Sequence, residues 1–252
     1  LILHAAGQAL GARAAVLDAA MGGILSRACS AEPALCESGA VVDLVPPPSV
    51  STRRVIVLSL GKAESLTALA LSEAGGKLAA HLEERGEDEA TILIDPLDGA
   101  PLSAAEILAR IALGLRLRRY RFDLRNRKPV AEVDTVWRLR LVGAQKAALD
   151  AALVRANAVA DGVEYARTLV NLPPNHLHPD SFAAHLEPLC EAGIDVEVLD
   201  AAALKELGAD ALLAVGAGSV RPPRLAVLRY RGEGSGDQPL AFVGKGVCFD
   251  SG

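Results

Sequence analysis

Aromatic side chains are scarce, at 3% of the 252 residues, so Ala, Val, Ile and Leu must fill the interior. No apolar run approaches the roughly 20 residues a membrane helix needs, because Arg, Lys, Asp or Glu interrupts every hydrophobic stretch. The apolar start at Leu1–Leu3 has no basic segment before it and no long apolar segment after it, so these residues are not expected to be a secretory leader. Cysteine is limited to Cys29, Cys36, Cys190 and Cys248, whose spacing matches neither a zinc site nor a disulfide framework. A reducing cytoplasm is the expected home. Net charge is small: 26 basic against 31 acidic side chains leave −5, and nothing in that balance recommends a nucleic-acid backbone as partner. A small neutral or zwitterionic ligand suits it better. Internal repeats and low-complexity tracts are absent apart from Pro46–Pro48, and collagen-like and mucin-like chains are excluded.

What is present is an ordinary globular composition, 51% hydrophobic and 23% charged, in a length suited to one large or two modest domains. Residues 55–60 form a continuous apolar run ending at Gly61, and the following segment carries helical spacing. A second apolar run at 92–94 stops at Asp95-Pro96, and Ser103-Ala104-Ala105-Glu106 is a capping box that predicts a helix from about Ala104 towards Leu117. Residues 133–141 alternate as a half-buried strand does. Strands alternating with helices imply an α/β layer architecture. A long helical pattern runs from about Ala144 to Leu169 and is stopped by Pro173 and Pro174.

Beyond it, Pro179 and Gly193 bracket a helix over 179–192, residues 194–199 read as a strand, and Asp200 caps a short helix that Gly208 ends. Two further strands are predicted at 225–228 and 240–243. The domain reading is therefore an N-terminal α/β domain over 1–143, a connecting helix over 144–172 and the start of a second α/β domain over 173–252. Both ends are expected to be truncated: no Met precedes the first strand, and no helix follows the last one.

The most informative segment is Phe242-Val243-Gly244-Lys245-Gly246-Val247-Cys248-Phe249-Asp250-Ser251-Gly252, in which a lysine and an aspartate follow an apolar strand. Flanking glycines let backbone approach a ligand closely, and the carboxyl ends of strands are where open α/β sheets bind ligands. Asp250 offers hard oxygens to a divalent cation, and a desolvated lysine beside a metal can donate a nitrogen lone pair. Metal binding, phosphate binding and a structural turn stay open on this ground. A P-loop fails, because Pro239 and Gly246 stand where Gly and Ser or Thr are needed, and Gly61-Lys62 fails likewise through Ile56 and Ala63. His176 and His178 read as loop residues without a third ligand, Arg116, Arg118, Arg119 and Arg121 as a solvated or subunit-facing helix surface, and Cys248 as a small buried side chain. The loop from Gly216 to Arg224 reads as a tight turn or a pocket wall.

Three ordered segments together resemble the leucyl aminopeptidase (M17, cytosol aminopeptidase) family: Asn171-Leu172-Pro173-Pro174-Asn175 through Pro179, Val215-Gly216-Ala217-Gly218-Ser219 through Leu225 to Tyr230, and Val243-Gly244-Lys245-Gly246-Val247 through Gly252. Leu60–Glu64 and Tyr120–Asp123 match more loosely. The resemblance implies an α/β metallopeptidase fold and hydrolysis of the N-terminal peptide bond, leucine preferred. Two divalent metal ions, Mn²⁺ or Zn²⁺, would bind the substrate amine and polarise the scissile carbonyl. Lys245 would ligate one metal through its neutral amine and Asp250 would contact both. Peptide substrates, a cytoplasmic location and a homo-hexamer are implied too.

The sequence departs from the family pattern in carrying Cys248 where Thr is common and Leu172-Pro173-Pro174 in place of Thr-Pro-Ala. The family's other carboxylate ligands, its second lysine and its catalytic arginine follow the segment at which this chain ends, so the 252 residues alone are expected to be inactive. The alternative expectation is a non-catalytic α/β binding or assembly protein.

Overall fold

The computed structural model describes residues 1–122, 124, 138–232 and 238–248, arranged as two compact units, Leu1–Tyr165 and Ala166–Gly252. The fold is mixed α/β. In the first unit the sheet contains β1 (Ile2–His4), β2 (Val41–Leu44), β3 (Val55–Ser59), β4 (Glu89–Ile94) and β5 (Arg138–Val142), in the order β2-β3-β1-β4-β5. All neighbours are parallel except the edge pair β2–β3. The helices are α1 (Ala12–Ala20), α2 (Ile24–Ala31), α3 (Ala68–Glu84), α4 (Ala104–Arg119) and α5 (Lys146–Asn171), the last continuing into the second unit.

The continuous apolar run at 55–60 is explained by burial on both faces, as parallel sheets require. Alternate residues of β3 serve different cores. Val55 and Val57 join Ile2, Ala14, Met21, Leu25 and Leu35 on one side. Ile56 and Leu58 join Leu71, Leu78, Ile92, Ile94, Ile107, Leu108 and Ile111 on the other, where Ala152, Ala156 and Ala160 of α5 also pack. Side-chain alternation along each strand produces this division.

The predicted capping box is formed: Ser103 Oγ accepts the Glu106 N–H at 3.3 Å, and a Glu106 carboxylate oxygen accepts the Ser103 N–H at 2.9 Å. The Ser103 N–H and, at 2.7 Å, the Ser103 hydroxyl both donate to the Glu106 carboxylate and hold its pKa below the usual range. The basic run at the end of α4 is answered within the chain. Arg116 makes a two-pronged contact with Glu164 on α5, at 2.9 and 2.7 Å, and also meets Asp161, while Arg121 reaches Glu83 at 3.3 Å.

In the second unit, α6 (Pro179–Leu186) passes into a 3₁₀ turn over Glu187–Ala192 and ends at Gly193 with φ +81°, so the predicted helix has the right ends but a tightened second half. Pro188 removes an N–H from the ladder there. Then come β6 (Asp195–Leu199), α7 (Ala201–Glu206, capped by Asp200), α8 (Asp210–Gly216) and β7 (Leu225–Arg229). β6 and β7 pair antiparallel as a two-stranded sheet. The strand expected at 240–243 is not formed. A strand needs a neighbour for its backbone groups, and among the described residues neither β6 nor β7 carries a third strand. Of the alternating stretch predicted as a strand, residues 138–141 lie within β5, and 133–137 lie outside the described residues.

Contact between α3 and α4 rests on two glycines. A Cβ on Gly75 would collide with the Ile111 carbonyl, and one on Gly114 with the Ser72 carbonyl. Gly76, one position along α3, has only the Gly114 carbonyl at 3.9 Å. Gly114→Ala and Gly75→Ala should each destabilise the chain by about 3 kcal/mol, since backbone would have to move apart. Gly76→Ala should be neutral or stabilising by up to about 1 kcal/mol from helix propensity. Urea unfolding of the three variants measures the contrast.

Candidate functional site

The site segment follows β7 in the second unit, and its local anchors start at α6. Proline at the first helical position suits Pro179, whose missing N–H is not needed there. The cap is His178: its Nδ1 accepts the Ser181 N–H at 3.4 Å, and Ser181 Oγ accepts the His178 N–H at 2.9 Å and donates to the His176 carbonyl at 2.8 Å. His178 is thus committed to a helix end. One turn of the loop before β7 is tied to the same helix by Arg224, whose guanidinium lies 2.6 Å from Asp180. Gly216 ends α8 against the ring of Pro223, where a Cβ would stand 2.7 Å from Cδ. The Gly216–Ser219 segment closes as a turn, with the Ser219 N–H donating to the Gly216 carbonyl at 3.0 Å.

Lys245 lies in an exposed segment outside any helix or strand and makes no side-chain hydrogen bond or ion pair among the described residues. Its carbonyl accepts the Val247 N–H at 3.1 Å, a tight local bend. Gly246 is pressed against Phe182 of α6: a Cβ there would stand 2.7 Å from the ring carbon Cε1. The glycine after the lysine is therefore a packing requirement, and Phe182 is the side chain that holds the bend. Cys248 is half-buried and its Sγ faces the Gly246 carbonyl at 3.7 Å. Burial pushes its thiol pKa up, against the thiolate form a nucleophile needs.

Asp250, the second predicted ligand, lies outside the described residues. Lysine nitrogen and aspartate oxygen are suitable donors for a divalent cation, but among the described residues no group of three or more His, Cys, Asp or Glu is arranged to hold one. Of the two expected ligands the described residues include Lys245 alone, and they do not by themselves build a metal site. Sequence reasoning singled out Lys245 and the loop ending at Arg224, and missed Phe182 and Asp180. An aromatic three residues after a helix-starting proline was the available signal, but nothing local links it to residue 246.

If Gly246 is held by Phe182, Gly246→Ala should loosen the bend, and trypsin should cleave after Lys245 several-fold faster than in the parent chain. Phe182→Leu added to Gly246→Ala makes room and should return the rate towards the parent value. Equal cleavage of the parent and the single variant would contradict this contact.

Residues 2–129 match the cytosol aminopeptidase family, N-terminal domain, and residues 164–252 match the catalytic domain of the same family. The chain is 41% identical over 255 residues, 100% of its length, to a probable cytosol aminopeptidase of Agrobacterium fabrum, covering 50% of that protein. It is 40% identical over 242 residues to the probable cytosol aminopeptidase of Bradyrhizobium sp. strain BTAi1, covering 94% of this chain and 48% of that one. The chain thus spans about half the length of the curated relatives it matches. Among solved structures it is similar to the bottromycin maturation enzyme BotP in complex with Mn, with TM-score 0.67, 27% identity, and coverage of 92% of this chain and 45% of that one.

Proposed function

Because the chain belongs to the cytosol aminopeptidase family, we propose that it serves a metal-dependent aminopeptidase that releases N-terminal amino acids, leucine foremost, from peptides. The observation that carries this reading is the match to the family's N-terminal and catalytic domains over residues 2–129 and 164–252, with Lys245 inside the matched catalytic segment. The reaction adds water across the first peptide bond: the C–N bond breaks, the carbonyl carbon gains the hydroxyl, and the departing amine takes the proton. Two divalent ions, Mn²⁺ or Zn²⁺, would supply Lewis-acid polarisation of the scissile carbonyl and activation of the attacking water. The Mn-bound BotP neighbour supports manganese as one choice.

In this reading residues 1–143 are an N-terminal α/β domain, 144–172 a connecting helix and 173–252 the beginning of the catalytic domain. Lys245, through a neutral amine nitrogen, and Asp250, through its carboxylate, would hold the metal ions. The bend held by Phe182 and Gly246 sets the direction in which the lysine leaves the backbone. A chain with two of the ligands does not complete a dinuclear centre, so the 252 residues alone are inactive. The active protein works in the cytoplasm as a homo-oligomer, a hexamer. The names of its relatives support the compartment, and no helix among the described residues is long and apolar enough to cross a membrane.

Leucine p-nitroanilide with Mn²⁺ tests both parts of the proposal. The 252-residue chain should give no turnover above buffer. The complete gene product carrying these residues should turn over, and Lys245→Ala or Asp250→Ala in it should lower kcat at least 100-fold, a loss of about 2.7 kcal/mol in transition-state stabilisation. Elemental analysis should show reduced metal in both variants. Full metal content and full activity in both would favour a non-catalytic role for the segment.

A further inference from the structure

The buried polar side chains among the described residues are His4, Ser59 and Asp95, at 6%, 0% and 5% exposure. They stand together in the topology: His4 closes β1, Ser59 closes β3 beside it, and Asp95 follows β4. Ser59 is fully used, donating to the Leu35 carbonyl at 2.6 Å and accepting the Gly61 N–H at 3.2 Å. The His4 ring makes no hydrogen bond among the described residues, and it lines a crevice with Gln8, Gly11, Ala14 and Asp95. Open α/β sheets bind ligands at the carboxyl edge where successive connections leave in opposite directions. Here β1 leaves by α1 and α2 on one face of the sheet towards β3, and its neighbour β4 leaves by α4 on the other face towards β5, so the β1–β4 crevice is that point.

Helix α1 starts at this crevice, and Gly11, its N-cap, has no side chain to satisfy the first free N–H groups. Asp95 satisfies them across the sheet. One carboxylate oxygen accepts the Arg13 N–H at 3.1 Å and the Arg13 guanidinium at 3.2 Å, and the other accepts the Ala14 N–H at 2.9 Å. A Cβ on Gly11 would collide with the Asp95 side chain. Two backbone donors, a guanidinium and the positive end of a helix form the arrangement that elsewhere receives phosphate.

We infer that the β1–β4 crevice is an oxyanion site whose ligand is the chain's own Asp95 carboxylate, and that removing this carboxylate opens the site to an external phosphate or short carboxylate. The native chain is thereby closed to phosphate-bearing ligands at this edge of the sheet. The vacated carboxymethyl volume adjoins the crevice, and the unpartnered His4 ring is available as a further donor.

Thermal melting of the 252-residue chain and of Asp95→Ala tests this in rising sodium phosphate or sodium acetate, with sodium chloride at matched ionic strength. The parent should show no difference between the salts. Asp95→Ala should melt lower in chloride and recover several degrees, saturably, in phosphate or acetate; acetate alone would limit the site to carboxylates, and phosphate alone to phosphate. Asp95→Asn, which keeps the side-chain volume and an acceptor, should not respond. If Asp95→Ala does not fold in chloride, its refolding yield in phosphate or acetate reads the same site. Failure of both anions to exceed chloride, or an equal response in the parent, would overturn the inference.

Discussion

The approach of α3 to α4 at Gly75 and Gly114 sets the spacing of the larger core. With no Cβ at either position, each helix backbone meets the carbonyl of the other, and Leu71, Leu78, Ile107, Leu108 and Ile111 are buried in the same core. Cores pack at crystal-like density, so a spacing fixed at one point fixes its neighbours. Because α3 delivers the chain to β4 and α4 follows it, the same contact fixes how β4 lies beside β1. The carboxyl edge on which His4, Ser59 and Asp95 converge inherits its geometry from that packing.

Local chemistry explains which elements were legible in the sequence. Ser103 and Glu106 sit three apart and complete each other, Pro179 and Gly193 mark a start and a stop, and Asp200 accepts the Ala203 N–H at 2.9 Å. Each signal and its partner lie within one turn, so the sequence displays both. Helix α1 has the opposite character. Its residues are mostly alanine, its own N-cap is a glycine, and the group that caps it is Asp95, eighty-odd positions away. The strand β2 is four residues long and pairs only along one edge, antiparallel to β3, so it presents no long alternating run. Gly75 and Gly114 read as weak helix residues until the second helix is known.

The candidate site divides in the same way. Lys245 stands out because glycines on both sides of a lysine after an apolar run are unusual for a merely solvated side chain. The reason for the second glycine comes from Phe182, in a different element, and the reason for Asp180 comes from Arg224 across the loop. His176 and His178 show the reverse case. Two histidines two apart suggest ligands, but the ring of His178 is spent on a helix cap, a role usually given to Ser, Thr, Asp or Asn. Metal sites draw donors from separated elements, so a single segment displays the donor type and leaves the donor set undefined.

The segment 240–243 is where local pattern and surroundings disagree. Leu240, Phe242 and Val243 carry the composition of a buried strand, and Phe242 and Val243 are 90% and 99% exposed. Burying such side chains contributes about 1.5–3 kcal/mol each, and an unpaired strand also leaves its N–H and C=O groups to water. Neither contribution is realised among the described residues, although the Gly246 bend immediately after is already seated on α6. Lys245 is therefore anchored on one side only. Its backbone direction is set by Phe182, while the strand that would fix its position along the sheet has no neighbour to register against. The metal-ligand role proposed for Lys245 would demand more, since functional side chains need placement to within about half an ångström. Under that role, assembly of the site and pairing of 240–243 would be a single structural event.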